Sequence, residues 1–252
     1  MRAHLKRLVC RCIAIGFFCG FAVAAQPILG LSAPLLEFTG QRYGAEAKQR
    51  IVLWQNLMVR YSGEPELTQL GIVNEFFNQI PYIPDQANWG KPDYWATPVE
   101  LLSVNGGDCE DFAIAKYLSL TAMGFPPESL RITYVTAIVF TTAQFAIIPH
   151  MVLAYFPPAN ADPLILDNLT SEIKAASQRR DLAPIYSFNI ESFWFAKEYW
   201  HGQLSGKSDR ISLWNDFLVR LKREAETAEQ MVKTSAAITA SIETAVIRQT
   251  SR

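Results

Sequence analysis

The chain has 252 residues, half of them apolar and 12% aromatic, with 23 basic residues set against 24 acidic ones. No basic stretch is interleaved with aromatics, which excludes the usual footprint of a nucleic-acid-binding protein. The apolar half is enough for a substantial hydrophobic core, in one large domain or two small ones.

Residues 1–25 read as an export signal. Arg2, Lys6, Arg7 and Arg11 form a basic start, and Cys12 to Ala25 is an apolar run of about 14 residues ending in the small residues Val23-Ala24-Ala25. The run is shorter than the ~20 residues of a spanning helix, so an uncleaved anchor is the alternative rather than the first reading. Cys19 follows Phe17-Phe18 instead of small residues, which argues against lipidation. The expected address is the periplasm or the cell exterior. Loss of the signal takes away four basic residues and no acids from a chain of net charge −1, leaving 227 residues at −5. It also takes Cys10, Cys12 and Cys19, so that Cys109 is the single thiol and no internal disulfide can form.

Residues 26–42 carry Pro27, Gly30, Pro34 and Gly40 and read as a flexible arm. From Tyr43 to Tyr61, Ile51, Trp54, Leu57 and Met58 recur at helical spacing, and Pro65 opens a second helix with Leu67, Leu70, Val73, Phe76 and Phe77 inward. Ile80 to Pro98 is rich in Pro, Trp and Tyr, either a packed surface loop or the wall of a cleft. Thr97-Pro98-Val99-Glu100 is a capping box with proline at the first helical position, which predicts a short helix to about Val104. Gly106-Gly107 ends it, and Asp108 caps a further helix from Cys109 to about Met123, stopped by Gly124 and Pro126. Arg131–Phe140, Pro149–Phe156 and Pro163–Asp167 then read as strands, with more near Ile185–Phe188 and Phe193–Phe195. From Ile211 the pattern is helical, and after Glu224 it thins to Met231, Ile238, Ile242 and Val246. Helices followed by an antiparallel sheet indicate an α+β fold.

Within that frame Cys109 opens the central helix, with His150 and Asp167 on neighbouring strands. Unpaired N–H groups and the helix dipole at a first turn favour thiolate, and the same groups can stabilise an oxyanion. A histidine in reach would exchange the proton, and a carboxylate on its far nitrogen would set its tautomer. Taken singly, Cys109 would be a small buried side chain, His150 a strand cap and Asp167 the start of a turn. The Gly-Gly turn before the cysteine, the scarcity of histidine and the order Cys, His, Asp favour the catalytic reading. His201 is the rival base, outside any predicted strand, and Asp162 the rival orienter, in a proline-rich turn. Asp108, Glu110 and Asp111 beside the sulfur oppose its ionisation. They are either a solvated acidic first turn or oxygen ligands for a hard cation such as calcium.

The runs Trp89-Gly90-Lys91-Pro92-Asp93-Tyr94-Trp95-Ala96-Thr97-Pro98 and Gly106-Gly107-Asp108-Cys109-Glu110-Asp111-Phe112-Ala113-Ile114-Ala115-Lys116-Tyr117 resemble the bacterial transglutaminase-like cysteine proteinases, which include LapG-type periplasmic proteases. The likeness continues through His150-Met151-Val152-Leu153 and Leu166-Asp167-Asn168-Leu169, over roughly residues 43–200. It implies a papain-like/transglutaminase-like fold with Cys109 as nucleophile, His150 as base and Asp167 as orienter. It also implies calcium dependence, with Asp108 and Glu110 as ligands and Asp111 as a third. The implied substrate is a large surface adhesin cut near its N-terminus, after a di-alanine in a Thr-Ala-Ala-Gly-like segment. The implied partner is a LapD-type inner-membrane receptor for cyclic di-GMP, for whose contact the loop around Trp89–Trp95 is available. The expected organisation is a signal at 1–25, an arm at 26–42, a protease domain at 43–223 and a helical or partly disordered tail at 224–252. Two rival functions use the same fold: a transglutaminase that passes the acyl group to an amine, and a non-catalytic peptide- or receptor-binding module.

Overall fold

The computed structural model describes residues 31–140, 144–158, 161–196 and 200–250. The export signal read at 1–25 and the first residues of the arm lie outside these. The rest of the arm is a helix, not a flexible segment: α1 spans Ala33–Tyr43. Ser32 caps it by accepting the Leu35 N–H at 3.3 Å, and Pro34 stands in the first turn, where no intrahelical N–H is needed. Gly40 is held inside the helix by close packing, since a Cβ there would come within 3.1 Å of Lys48 Cδ.

The amphipathic segments that follow form α2 (Ala45–Tyr61) and α3 (Glu66–Asn78), which bury Ile51, Trp54, Met58, Leu70, Val73 and Phe77. A single turn, α4 (Asp85–Asn88), precedes α5 (Pro98–Val104). The capping box at the start of α5 is complete, with Thr97 and Glu100 each bonded to the other's backbone N–H. The left-handed position that ends α5 is taken by Asn105 (φ 56°), not by either glycine. Gly106 and Gly107 serve close approach instead: a Cβ on Gly106 would collide with Ile83, and one on Gly107 would lie 2.5 Å from Asp111 Oδ2 and 2.6 Å from Leu101 Cδ1.

Helix α6 (Cys109–Ala122) is the centre of the molecule, with every residue from Asp111 to Leu120 buried. Its neighbours are α2 and α3 on one side and strands β1 (Leu130–Phe140) and β2 (Phe145–Tyr155) on the other. These two pair with β3 (Leu164–Leu166), β4 (Lys174–Ala175), β5 (Leu182–Phe188), β6 (Ser192–Phe195) and β7 (Gln203–Lys207) in one antiparallel sheet of order β4-β3-β2-β1-β5-β6-β7. Each large apolar side chain removed from water contributes about 1.5–3 kcal/mol. Trp54, Phe77, Phe112, Tyr117, Phe188, Trp214 and Phe217 are all buried, and among the described residues the core stands without a disulfide.

The chain ends in α7 (Ser212–Thr250), which runs without a break through the boundary expected at 223/224. The reason is local: the Thr97 hydroxyl donates to Glu224 Oε1 at 2.6 Å, and Arg220 bonds Glu100 and the Trp95 carbonyl, so the helix is tied to the body on both sides of that point. The end of the aromatic loop before α5 packs inward here, while Lys91, Asp93 and Tyr94 line a pocket against α7. Trp95 is 4% exposed and stacks on Phe188 at 5.6 Å between ring centres. No helix among the described residues is long and apolar enough to cross a membrane.

Candidate active site

Cys109 is the first residue of α6, where backbone N–H groups lack partners within the helix. The backbone N–H of Met151 on β2 acts on the sulfur in favour of its thiolate, and β2, the strand that carries His150, packs against α6. His150 is 3% exposed, and its Nε2 lies 2.8 Å from Asp167 Oδ1. Asp167 directly follows β3, the strand paired with β2, so strand pairing sets this contact across 17 residues of sequence. With Nε2 engaged by the carboxylate, Nδ1 is the nitrogen left for proton exchange.

Burial by itself would raise Asp167, but the hydrogen bond and charge of His150, the Leu169 N–H and Arg179 together bring it down to about 2. It is therefore ionised throughout the neutral range. The thiol is in the opposite condition. Burial first, then the carboxylates of Glu110 and Asp108, push it well above its ordinary value, and its side-chain hydrogen bond goes to Glu110 Oε2 at 3.0 Å. As arranged here, the sulfur is a protonated donor.

The acids around it form a larger group than the three beside the cysteine. Carboxylate oxygens of Asp85, Asp108 and Asp111 lie within 4.8 Å of one another, and so do those of Asp85, Asp93 and Glu110. Residues 81–83 run alongside Gly107, with Ile83 N–H donating to the Gly107 carbonyl at 2.8 Å, and this carries Asp85 to Asp108. Burial, followed by the neighbouring charges, pushes Asp108 up to about 8; Glu110 rises to about 7, again mainly from burial. Buried like-charged oxygens at this density are unfavourable unless protonated or shared with a cation. Asp85 Oδ1 and Asp108 Oδ1 are buried without any hydrogen-bond partner. An all-oxygen set with two unpartnered buried acceptors fits a hard divalent cation. Asp111 is the most committed to the protein, since Oδ1 accepts Ala96 N–H at 2.6 Å and Oδ2 accepts Asp108 N–H at 3.3 Å.

Each rival residue is occupied elsewhere. His201 is exposed, with its ring against Phe156 at 5.4 Å, and Asp162 caps the Ser177 N–H on the surface. Asp85, Asp93 and Arg179 were not among the candidates read from sequence. Asp93 lies inside the Trp89–Pro98 run, which is the one signal that pointed near it. Asp85 and Arg179 reach the site by folding across 23 and 12 residues, and no spacing rule marks them.

A family model for the bacterial transglutaminase-like cysteine proteinases (BTLCP) matches residues 41–182. Among solved structures, EGTA-treated LapG of Legionella pneumophila is 41% identical with a TM-score of 0.62, over 74% of this chain and 95% of that one. Calcium-bound LapG of the same organism is 40% identical with a TM-score of 0.61, over 76% of this chain and 99% of that one. A search of curated proteins finds no match. The family match spans more than half of the sequence, and the LapG structures extend it over the folded body, so this chain belongs to the bacterial transglutaminase-like cysteine proteinases and is a cysteine peptidase.

Proposed function

We propose that the chain is an exported, calcium-dependent cysteine endopeptidase in which Cys109 is the nucleophile, His150 the base and Asp167 its orienter. The observation that carries this reading is the buried His150–Asp167 pair, with His150 on β2, the strand packed against the helix that Cys109 opens. Nδ1 of His150 takes the thiol proton, and the sulfur attacks a backbone carbonyl. The unpaired N–H groups at the start of α6 receive the developing oxyanion. The imidazolium protonates the leaving amine, then a water activated by the same nitrogen splits the thioester and frees the acid.

Asp85, Asp93, Asp108, Glu110 and Asp111 would hold the calcium. When bound, it supplies the positive charge that these oxygens lack, which favours thiolate and competes with the thiol for Glu110. The LapG structures treated with EGTA and bound to calcium support this part of the reading.

The substrate in this proposal is a large surface adhesin, cut near its N-terminus after a di-alanine so that attachment in a biofilm is released. The partner is a LapD-type inner-membrane receptor that sequesters the protease when it holds cyclic di-GMP. The family membership supports both. Export rests on the basic and apolar pattern of residues 1–25.

The test is mass spectrometry of an adhesin N-terminal fragment incubated with the protein. Cleavage after the di-alanine, abolished by Cys109→Ala and by EGTA, is expected. An isopeptide crosslink in place of a cut would make the chain an acyl-transferase, and cleavage that survives Cys109→Ala would remove the catalytic assignment. Turnover unaltered by EGTA would refute the calcium requirement.

A further inference from the structure

We propose that Arg179 is a positioning residue for the catalytic base, clamping the Asp167 carboxylate that orients His150. The inference rests on the reading of His150 as the base.

The three side chains are sealed from water: Asp167 is 0% exposed, His150 3% and Arg179 4%. The two oxygens of Asp167 are divided between them. Oδ1 accepts from His150 Nε2 at 2.8 Å and from the Leu169 N–H at 2.9 Å, while Oδ2 accepts from Arg179 Nη2 at 2.7 Å. Held at both oxygens, the carboxylate cannot turn about its terminal bond, and its alignment with Nε2 is preserved. That alignment keeps the ring proton on Nε2 and leaves Nδ1 as the nitrogen able to accept a proton.

The clamp is itself anchored. Arg179 closes the single helical turn Ala176–Gln178, and its fork grips Asp181 through Nε at 3.0 Å and Nη2 at 2.7 Å. The Asp181 carbonyl accepts the Ile138 N–H at 2.8 Å, which ties the turn to β1. The chain of contacts thus runs from β1 through Asp181, Arg179 and Asp167 to His150. A planar guanidinium can serve two carboxylates at fixed angles, which a lysine ammonium cannot reproduce. Nη1 is buried without a partner, so the fork is oriented for the two acids rather than for its own full satisfaction.

The other charged groups facing this cluster are Lys116 of α6, close enough to feel the Asp167 charge, and Lys174 of β4, in the cavity lined by Arg179 and Asp181. With Arg179 gone, burial would act against one less cation, and Asp167 would bind a proton at higher pH than it does now.

The experiment compares Arg179→Gln, Arg179→Lys and the control Asp181→Asn in the full chain at fixed calcium. Two readouts are taken across pH 5–9: cleavage of the adhesin fragment, and S-alkylation of Cys109 by iodoacetamide, located by mass spectrometry. Arg179→Gln should lower kcat by roughly 10- to 100-fold, the range typical of partners that orient a functional histidine, with KM nearly constant. The acid limb of both profiles should move to higher pH. Arg179→Lys should recover part of kcat, and Asp181→Asn should show a smaller effect of the same kind. A merely structural arginine would lower the unfolding midpoint and leave the profiles where they were. Wild-type kcat and acid limbs in Arg179→Gln would overturn the proposal. Should that variant fail to fold, wild-type kcat in both Arg179→Lys and Asp181→Asn would overturn it equally. If the wild type cleaves no adhesin, the substrate reading fails, while the alkylation profiles still decide the role of Arg179.

Discussion

Lys116 lies in the middle of α6, 1% exposed, with its ammonium donating to Asn78 Oδ1 at 2.7 Å. Burial brings its titration down from 10.5 to about 7, against the opposing pull of Asp167. In the unfolded chain the amine keeps its proton up to about 10.5. Between the two values the unfolded state binds more protons, so the Lys116 contribution to stability rises with pH across that window. Below pH 7 both states are protonated and the cost of burying the ammonium is present in full. At 1.36 kcal/mol per pH unit, that cost has a ceiling of about 5 kcal/mol. Lys116→Met keeps the length of the stem and removes the charge, but it leaves Asn78 Oδ1 without its donor, a loss of about 1–3 kcal/mol. The variant should therefore be more stable than the wild type by about 2–4 kcal/mol at pH 6. The difference should shrink as pH rises and reverse between about pH 8 and 10, as the wild-type lysine becomes neutral in the fold. Urea unfolding of both proteins at pH 6, 7, 8, 9 and 10, with EGTA throughout, measures the two curves. Parallel curves would refute the reasoning, because they would mean that Lys116 keeps its proton in the folded core.

Two further substitutions probe the frame of the site. In Gly107→Ala the new methyl would lie 2.5 Å from Asp111 Oδ2 and 2.6 Å from Leu101 Cδ1, and relief requires Asp111 to give up the Asp108 N–H. Calcium affinity by titration calorimetry should fall at least about tenfold, as for the loss of a partner that orients a ligand, with the helical circular dichroism unchanged; wild-type affinity would show that the capping box does not shape the acids. Ser119→Ala leaves the buried Trp54 Nε1–H, now 2.8 Å from the serine oxygen, without an acceptor. Urea unfolding should report a loss of about 1–3 kcal/mol, and a loss below about 0.5 kcal/mol would mean that the indole finds another partner.

The signals read correctly from sequence are those whose physics is local. Thr97-Pro98-Val99-Glu100 closes its capping box within one turn, and Asp108 caps α6 through Asp111 three residues on, so both helix starts fall where the sequence places them. The strands around Ile132, Leu153 and Phe188 carry their own β-branched and aromatic residues. Misreadings came where a local signal has two meanings. Pro34, grouped with Pro27, Gly30 and Gly40 as the mark of a flexible arm, is a helix starter, and the helical pattern from Ile211 continues past Glu224, which anchors it. Strand β7 was not foreseen because Gln203–Lys207 is polar, contains Gly206, and is a strand only through its pairing with β6.

By itself, the sequence determined Cys109 at a helix start, its order with His150 and Asp167, and the acids on either side of it. Those features depend on covalent neighbours and on the period of single elements. Only the tertiary structure decided that Asp85 and Asp93 join the acids and that Arg179 closes on Asp167. Each of these is a charge whose partner arrives from another element. Its cost or benefit exists only once water has been excluded, a condition that no window of sequence contains.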